Sequence, residues 1–313
     1  MDTSHVLYGF TDLKNLDSHG PIVLNKAKGA YVYDTNGKKY FDGNSGLWNS
    51  VVGFDHPKMI ATAQKQYEEL SGYHSLFGRI TEPAINLTNK LIEVSPFDEG
   101  KVFFTNSGSE ANDTAVKLLW FMNSHKGMPK KRKIITRYNS YHGVTIGAAS
   151  MTGKPYNDVF GLPLPDFIRS ACPHYWKFGN EGESEESFSL RMAQDLEDVI
   201  EKEGAETIAG FFAEPVMGAG GVIPPSKDYF QLIQPILKKH NIPLIADEVI
   251  CGFGRTGNLW GSTTYDIKPD MIIASKCITS GFFPLGAVIT GEEITKELLE
   301  ASYAAEEFPH GFT

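Results

Sequence analysis

The rhythm of hydrophobic and polar positions changes near residue 100. Before it, AYVYDTNGKKYFD (30–42) forms two short β-rich runs around a turn at Asn36 and Gly37, which predicts a hairpin. Residues 57–70 have helical periodicity. From about residue 100, short apolar runs alternate with longer amphipathic stretches. Strands are expected at Lys101–Thr105, Lys133–Arg137, Thr207–Ala213, Pro243–Ala246, Met271–Ser275 and Leu285–Thr290, and helices at 109–122, 191–203 and 228–240. Strand–helix–strand order of this kind predicts an α/β protein with a mostly parallel sheet and helices on both faces. Such sheets carry their chemistry at the carboxyl ends of the strands.

Composition narrows the function classes. The chain has 313 residues, 29 Lys and Arg against 38 Asp and Glu, and a net charge of −9. A nucleic-acid surface needs an excess of cations, so that class is set aside. Cys172, Cys251 and Cys277 are odd in number and lack CxxC spacing, which argues against a disulfide scaffold or a zinc site. His74, His125 and His174 likewise show no metal-ligand spacing. The first residues resemble no signal peptide, and no apolar run reaches the ~18 residues that cross a bilayer. A cytoplasmic location with no membrane partner is the expectation. The basic run KGMPKKRK (126–133) reads as a solvated loop rather than a localisation signal.

Two features carry candidate chemistry. After KVFFT comes Asn106-Ser107-Gly108-Ser109-Glu110, then the helical stretch ANDTAVKLLWFM. Free N–H groups at a helix start make an anion site, and Ser107, Gly108 and Ser109 suit a phosphate. Ordinary N-capping by serine uses the same residues. No GxxxxGK[ST] occurs, and GAGGVIPP does not match GxGxxG, so a nucleotide site has no support.

The second feature pairs two strand ends. NIPLIADEV delivers Asp247 and Glu248, and DMIIASK delivers Lys276, one crossover later. This is either a structural ion pair or a reactive site, because a desolvated lysine is a good Schiff-base nucleophile. A phosphate cradle, such a lysine and a carboxylate able to pair with a pyridine nitrogen together match what pyridoxal phosphate requires.

The sequence resembles the class-III aminotransferases, in the omega-amino-acid or amine:pyruvate branch of the fold-type-I pyridoxal-phosphate enzymes. The matching segments include GLWNSVVGFDHP (46–57), FFTNSGSEANDTAVKL (103–118), YNSYHG (138–143), AEPVMGAGGVIPP (213–225), LIADEVICGFGRTG (244–257), PDMIIASKCITSGFFPLGAV (269–288) and HGFT (310–313). The resemblance implies that Lys276 forms the Schiff base and shuttles the proton, while Asp247 holds the pyridinium N–H. It implies that Val249 and Tyr141 sandwich the ring with His142 beside it, and that Ser107, Gly108 and Ser109 bind the phosphate. Glu214 is placed near the ring's phenolate side, holding Asp247 or its loop. Thr313 matches a threonine that reaches the phosphate of the other subunit, which implies a homodimer, or a dimer of dimers, with shared sites. Trp48, and less strongly Tyr156, match the substrate pocket. Arg255 in GFGRTG is expected to fix its own loop.

The implied organisation is residues 1–56 as an N-terminal part of the small domain and 57–313 as the large cofactor domain. Relatives of this family continue past HGFT into a C-terminal small domain, which this chain lacks, so a fragment or truncated product is expected. The implied activity is transfer of an amino group from an amine or omega-amino acid to a keto acid, with pyruvate first. A non-catalytic cofactor-binding remnant, and a racemase or mutase of the same fold, are the alternatives.

Overall fold

The predicted hairpin is the second half of a three-stranded antiparallel sheet in the computed structural model, which describes residues 2–311. Strands β1 (Leu24–Lys28), β2 (Tyr31–Asp34) and β3 (Lys39–Phe41) meander in that order. Asp34 closes the β2–β3 turn by accepting from the amides of Asn36 and Lys38, and Gly37 supplies the positive φ of 81° that the turn requires. β1 was not expected, because LNKAK is polar and mostly exposed and so carries no apolar alternation.

All six apolar runs are strands. They are β4 (Lys101–Thr105), β5 (Lys133–Arg137), β7 (Ile208–Ala213), β8 (Leu244–Asp247), β9 (Met271–Ala274) and β10 (Gly286–Thr290), joined by an unexpected β6 (Phe167–Ser170). β6 escaped the pattern because Arg169 interrupts it; that guanidinium is bound by the Thr136 hydroxyl and the Thr152 carbonyl. The sheet order is β4-β10-β9-β8-β7-β5-β6. β10 runs antiparallel to both neighbours, and the other six strands share one direction. Their carboxyl ends therefore lie on one rim.

Every residue of β7, β8 and β9 is buried, as a sheet covered on both faces demands. Neighbouring residues along a strand face opposite ways. Phe212, Ile245, Ile273 and Val288 pack with Ala111, Ala115 and Leu119 of the helix Gly108–His125. On the other face, Phe211 and Leu244 meet the helices Glu185–Glu203 and Tyr229–Lys239, and Ala246, Ile272 and Ile289 meet Leu91 of the helix Glu82–Val94. The helix Glu185–Glu203 starts earlier than its periodicity suggested, because the Ser184 hydroxyl caps it by accepting from the Ser187 amide. Helices Glu82–Val94 and Glu292–Ala304 were also not foreseen. Among the described residues no helix is long and apolar enough to cross a membrane.

The last described residues dock on β4 and the helix Gly108–His125. His310 stacks on Phe103, with centroids 4.7 Å apart, accepts at Nδ1 from Lys117 Nζ at 2.9 Å and donates at Nε2 to the Thr114 hydroxyl at 3.1 Å. These bonds need a neutral ring, and burial, then the Lys117 charge, lowers its pKa from 6.5 to about 4. The undocked segment therefore binds more protons between those values, so docking is strongest above about pH 6.5 and weakens as the pH falls through about 4. Hydrogen exchange of residues 305–311, corrected for intrinsic rates, should accelerate across that window, and His310→Phe should remove the pH dependence. A flat profile in the unsubstituted protein would refute the coupling.

Candidate active site

Five loops leave the carboxyl rim and converge. After β4, Ser107 caps the helix Gly108–His125: its hydroxyl oxygen accepts from the Glu110 amide at 3.2 Å, and the Glu110 carboxylate accepts from the Asn106 amide at 2.7 Å. Capping and anion binding are compatible here. The Ser107 O–H remains able to donate, and the first amides of the helix have no intrahelical acceptor. Ser109 is used similarly, its oxygen accepting from the Val144 amide at 3.1 Å. Gly108 allows the close approach of this turn to the next: a Cβ there would lie 2.8 Å from Val249 Cγ2.

β8 delivers Asp247, 3% exposed. Its Oδ2 accepts from Asn112 Nδ2 at 3.0 Å and meets His142 Nδ1 at 2.7 Å, while Oδ1 accepts from the Val249 amide at 3.1 Å. The side chain hydrogen-bonded to this carboxylate from the facing loop is thus His142 rather than Lys276. His142 Nε2, itself buried, has no partner. Glu248 turns the other way and is held by the amides of Gly261 and Ser262 and by the Ser262 hydroxyl. Burial pushes its carboxyl up.

β7 delivers Glu214, whose carbonyl accepts from Arg137 Nη2 at 2.6 Å. Its carboxylate accepts from the Tyr141 and Gly218 amides, both at 3.0 Å. Glu214 therefore holds the Tyr141 loop, whereas Asp247 is held by Asn112, His142 and Val249. Burial pushes the Glu214 carboxyl up, with His142 opposing. The phenol of Tyr141 is raised by burial and then by the Asp247 charge.

β9 ends one residue before Ser275, and Lys276 follows with φ of 50°, a left-handed conformation rare for a side chain of its size. Burial pushes its ammonium pKa down, against the attraction of Asp247. Lys276, Asp247, Tyr141, Val249 and the Ser107–Ser109 turn line one cavity of about 360 Å³. The cavity brings together donors for an anion, a carboxylate for a cation, and an amine whose protonated form is disfavoured by burial.

Not every expected residue borders that space. Trp48 and Tyr156 do not line it. Trp48 sits in a turn whose carbonyl is held by Arg255, and Tyr156 packs edge-on against Phe10 with centroids 5.2 Å apart. Asn49, the neighbour of Trp48, lines the cavity instead, as does Phe283. Thr313 lies outside the described residues. Asn112 was missed, although a signal existed: it is the polar member of a helical stripe completed by Val116 and Leu119, and it is fully buried.

The Aminotransferase class-III family model matches residues 14–313, and the chain belongs to that family. An aminotransferase from Vibrio fluvialis, solved in a PMP-bound form, superposes with a TM-score of 0.97 at 62% identity, covering 99% of this chain and 68% of that one. An omega-aminotransferase from Paracoccus denitrificans gives 0.98 at 61% identity, covering 99% and 69%. The mostly parallel sheet is thus the fold-type-I architecture of these neighbours. The chloroplastic gamma aminobutyrate transaminase 3 of Solanum lycopersicum is 50% identical over 295 residues, which are 94% of this chain and 57% of that protein. Vanillin aminotransferase of Capsicum frutescens is 48% identical, with shares of 94% and 64%. The chain spans less than two thirds of the length of these two curated relatives.

The close approach at Gly108 is directly testable. Gly108→Ala forces its methyl against the stiff, β-branched Val249 and should cost about 1–3 kcal/mol of stability, read from the urea midpoint. An unchanged midpoint would mean that the two loops are not in contact.

Proposed function

We propose that this chain is the cofactor-binding part of a pyridoxal-phosphate-dependent transaminase that moves an amino group from an amine or omega-amino acid to a keto acid, pyruvate first. One observation carries the proposal. Neighbouring parallel strands deliver Asp247 and Lys276 to a single cavity whose further wall is the helix start at Ser107–Ser109. The relatives named as transaminases support it.

The residues present fit the cofactor. A phosphate suits the amides of Gly108 and Ser109 and the hydroxyls of Ser107 and Ser109, at a turn where a Cβ on Gly108 would meet Val249. A flat ring suits the space between Val249 and Tyr141, and its nitrogen suits the Asp247 carboxylate. When bound, pyridoxal phosphate supplies an aldehyde that condenses with amines and a cationic ring that takes up the electron pair of a breaking bond to carbon.

The protein's own groups divide the remaining work. Asn112 and His142 orient the Asp247 carboxylate, which keeps the ring nitrogen protonated. Lys276, its ammonium disfavoured by burial, would be the amine that binds the aldehyde carbon, and its Nζ would carry a proton to and from the substrate. Glu214 fixes the Tyr141 loop through the Tyr141 amide, so the aromatic wall cannot swing away.

The working assembly is a homodimer with shared sites. Large apolar side chains left exposed on this chain suit such an interface, among them Leu7, Phe10, Phe77 and Trp176, all above 80% exposed. A reducing compartment, the cytoplasm, suits three free cysteines.

Spectroscopy and a panel of amine donors against pyruvate and 2-oxoglutarate test the reading. Unsubstituted protein should give the visible band of lysine-bound pyridoxal phosphate and turn over at least one donor. Lys276→Ala should lose the band, with turnover falling on the order of 10³-fold or more. A Lys276→Ala protein that transaminates at the unsubstituted rate would overturn the assignment.

A further inference from the structure

Three chain segments, at Trp48, Ile250 and the lysine turn, are tied together by side chains that do not line the cavity. Arg255 Nη2 donates to the Trp48 carbonyl at 2.6 Å and to Cys277 Sγ at 3.2 Å, and its Nε donates to the Ile250 carbonyl. Cys277 Sγ also donates to the Trp48 carbonyl at 3.4 Å. On the far side of the lysine turn, the Ser280 hydroxyl oxygen accepts from the amides of Val51 at 2.9 Å and Val52 at 3.1 Å. Asn49, between these anchors, lines the cavity and packs on Gly281, where a Cβ would come within 2.9 Å of Asn49 Nδ2.

Two of the anchoring residues, and the lysine beside Cys277, sit in strained backbone. Trp48, Lys276 and Ser280 have φ of 59°, 50° and 53°, and none is glycine. Conformations of this kind persist only where the surroundings over-determine them. Arg255 supplies much of that determination, because its acceptors lie on three chain segments that share no secondary structure: the arm at Trp48, the turn after Asp247 at Ile250, and the lysine turn at Cys277. Its partners are two carbonyls and a thiol rather than a carboxylate, so the planar fork matters more than the charge. A lysine, a point charge on a flexible stem, could not span them.

We propose that Arg255 is a positioning residue that locks the segment Trp48–Val52 onto the lysine turn and so sets the cavity wall that faces the amine donor. The proposal rests on the transaminase reading for its effect on the donor, but the lock itself is a property of the protein alone. Arg255 touches neither the cavity nor Asp247; it acts through Trp48, Asn49 and the turn that carries Lys276.

Arg255→Gln and Arg255→Lys test it in the full chain, by hydrogen exchange without added cofactor and by steady-state kinetics with pyridoxal phosphate. Both substitutions should speed exchange of the Trp48–Val52 amides by about tenfold while leaving β8 and β9 as protected as before. Both should raise the KM of the amine donor by about tenfold, with kcat held within about threefold. Equal exchange in that segment would overturn the lock, and so would full rescue by Arg255→Lys, which would make charge the operative property. An unchanged donor KM beside faster exchange would overturn its role in shaping the donor wall. If the unsubstituted protein turns over no donor, the function proposed above fails, and exchange alone decides the lock. Should the Arg255 variants not fold, Ser280→Ala, which removes the side-chain acceptor of Val52 while Val51 keeps the Asn49 carbonyl, should expose the Val52 amide; unchanged protection there would overturn the clamp.

Discussion

A carboxylate with almost no access to water is the constraint on which this rim is built. Burying the Asp247 charge would cost several kcal/mol if it were left unsatisfied. The protein meets that cost with a side chain from each of two other segments, Asn112 from the helix after the phosphate turn and His142 from the loop after β5, together with the Val249 amide of its own loop. The bonds that make the charge tolerable are therefore the bonds that bring three loops to one place. Removing the carboxylate would leave the His142 ring with no hydrogen bond, its Nε2 being already unpartnered, whereas Asn112 would keep its bonds to the Gly108 and His142 carbonyls. The anion is at once the chemical centre of the site and the peg on which its neighbours hang.

Two further carboxylates near the rim show a different solution. Glu214 and Glu248 are as deeply buried, yet both are pinned chiefly by backbone amides, and burial pushes both carboxyls up. Neither competes with Asp247 for His142. Glu248 follows Asp247 directly but points into the turn at Gly261 and Ser262, because successive residues leaving a strand face opposite sides. The DE pair at the end of β8 thus separates into one residue facing the cavity and one that braces the loop behind it.

Most of this architecture was legible in the chain because fully buried parallel strands write themselves as unbroken apolar runs. β8 and β9 are such runs, and reading them to their carboxyl ends led straight to Asp247 and Lys276. Elements that carry polar residues for local reasons were silent. β6 holds Arg169 for a bond to Thr136, and β1 faces solvent along most of its length. In the site, residue type revealed the groups that do chemistry but not those that aim them. Asn112 looks like any polar helix residue until its position on a buried stripe is noticed. Arg255 looked like a loop residue because nothing local shows that its acceptors lie some two hundred positions upstream and twenty downstream. Trp48 was placed by family likeness, whereas the lining residue beside it is Asn49.

The single reversed strand has a consequence for size. β10 lies between β9, which carries the lysine, and β4, which carries the phosphate turn, and it meets the rim with its amino end. The two gripping loops are therefore held two strand spacings apart, roughly 10 Å. That interval is fixed by backbone hydrogen bonds on both sides of β10 and cannot drift with side-chain motion. The sheet acts as a ruler: a ligand held by its phosphate at one end and by an amine at the other must fill what remains of that interval once the lysine side chain has taken its share.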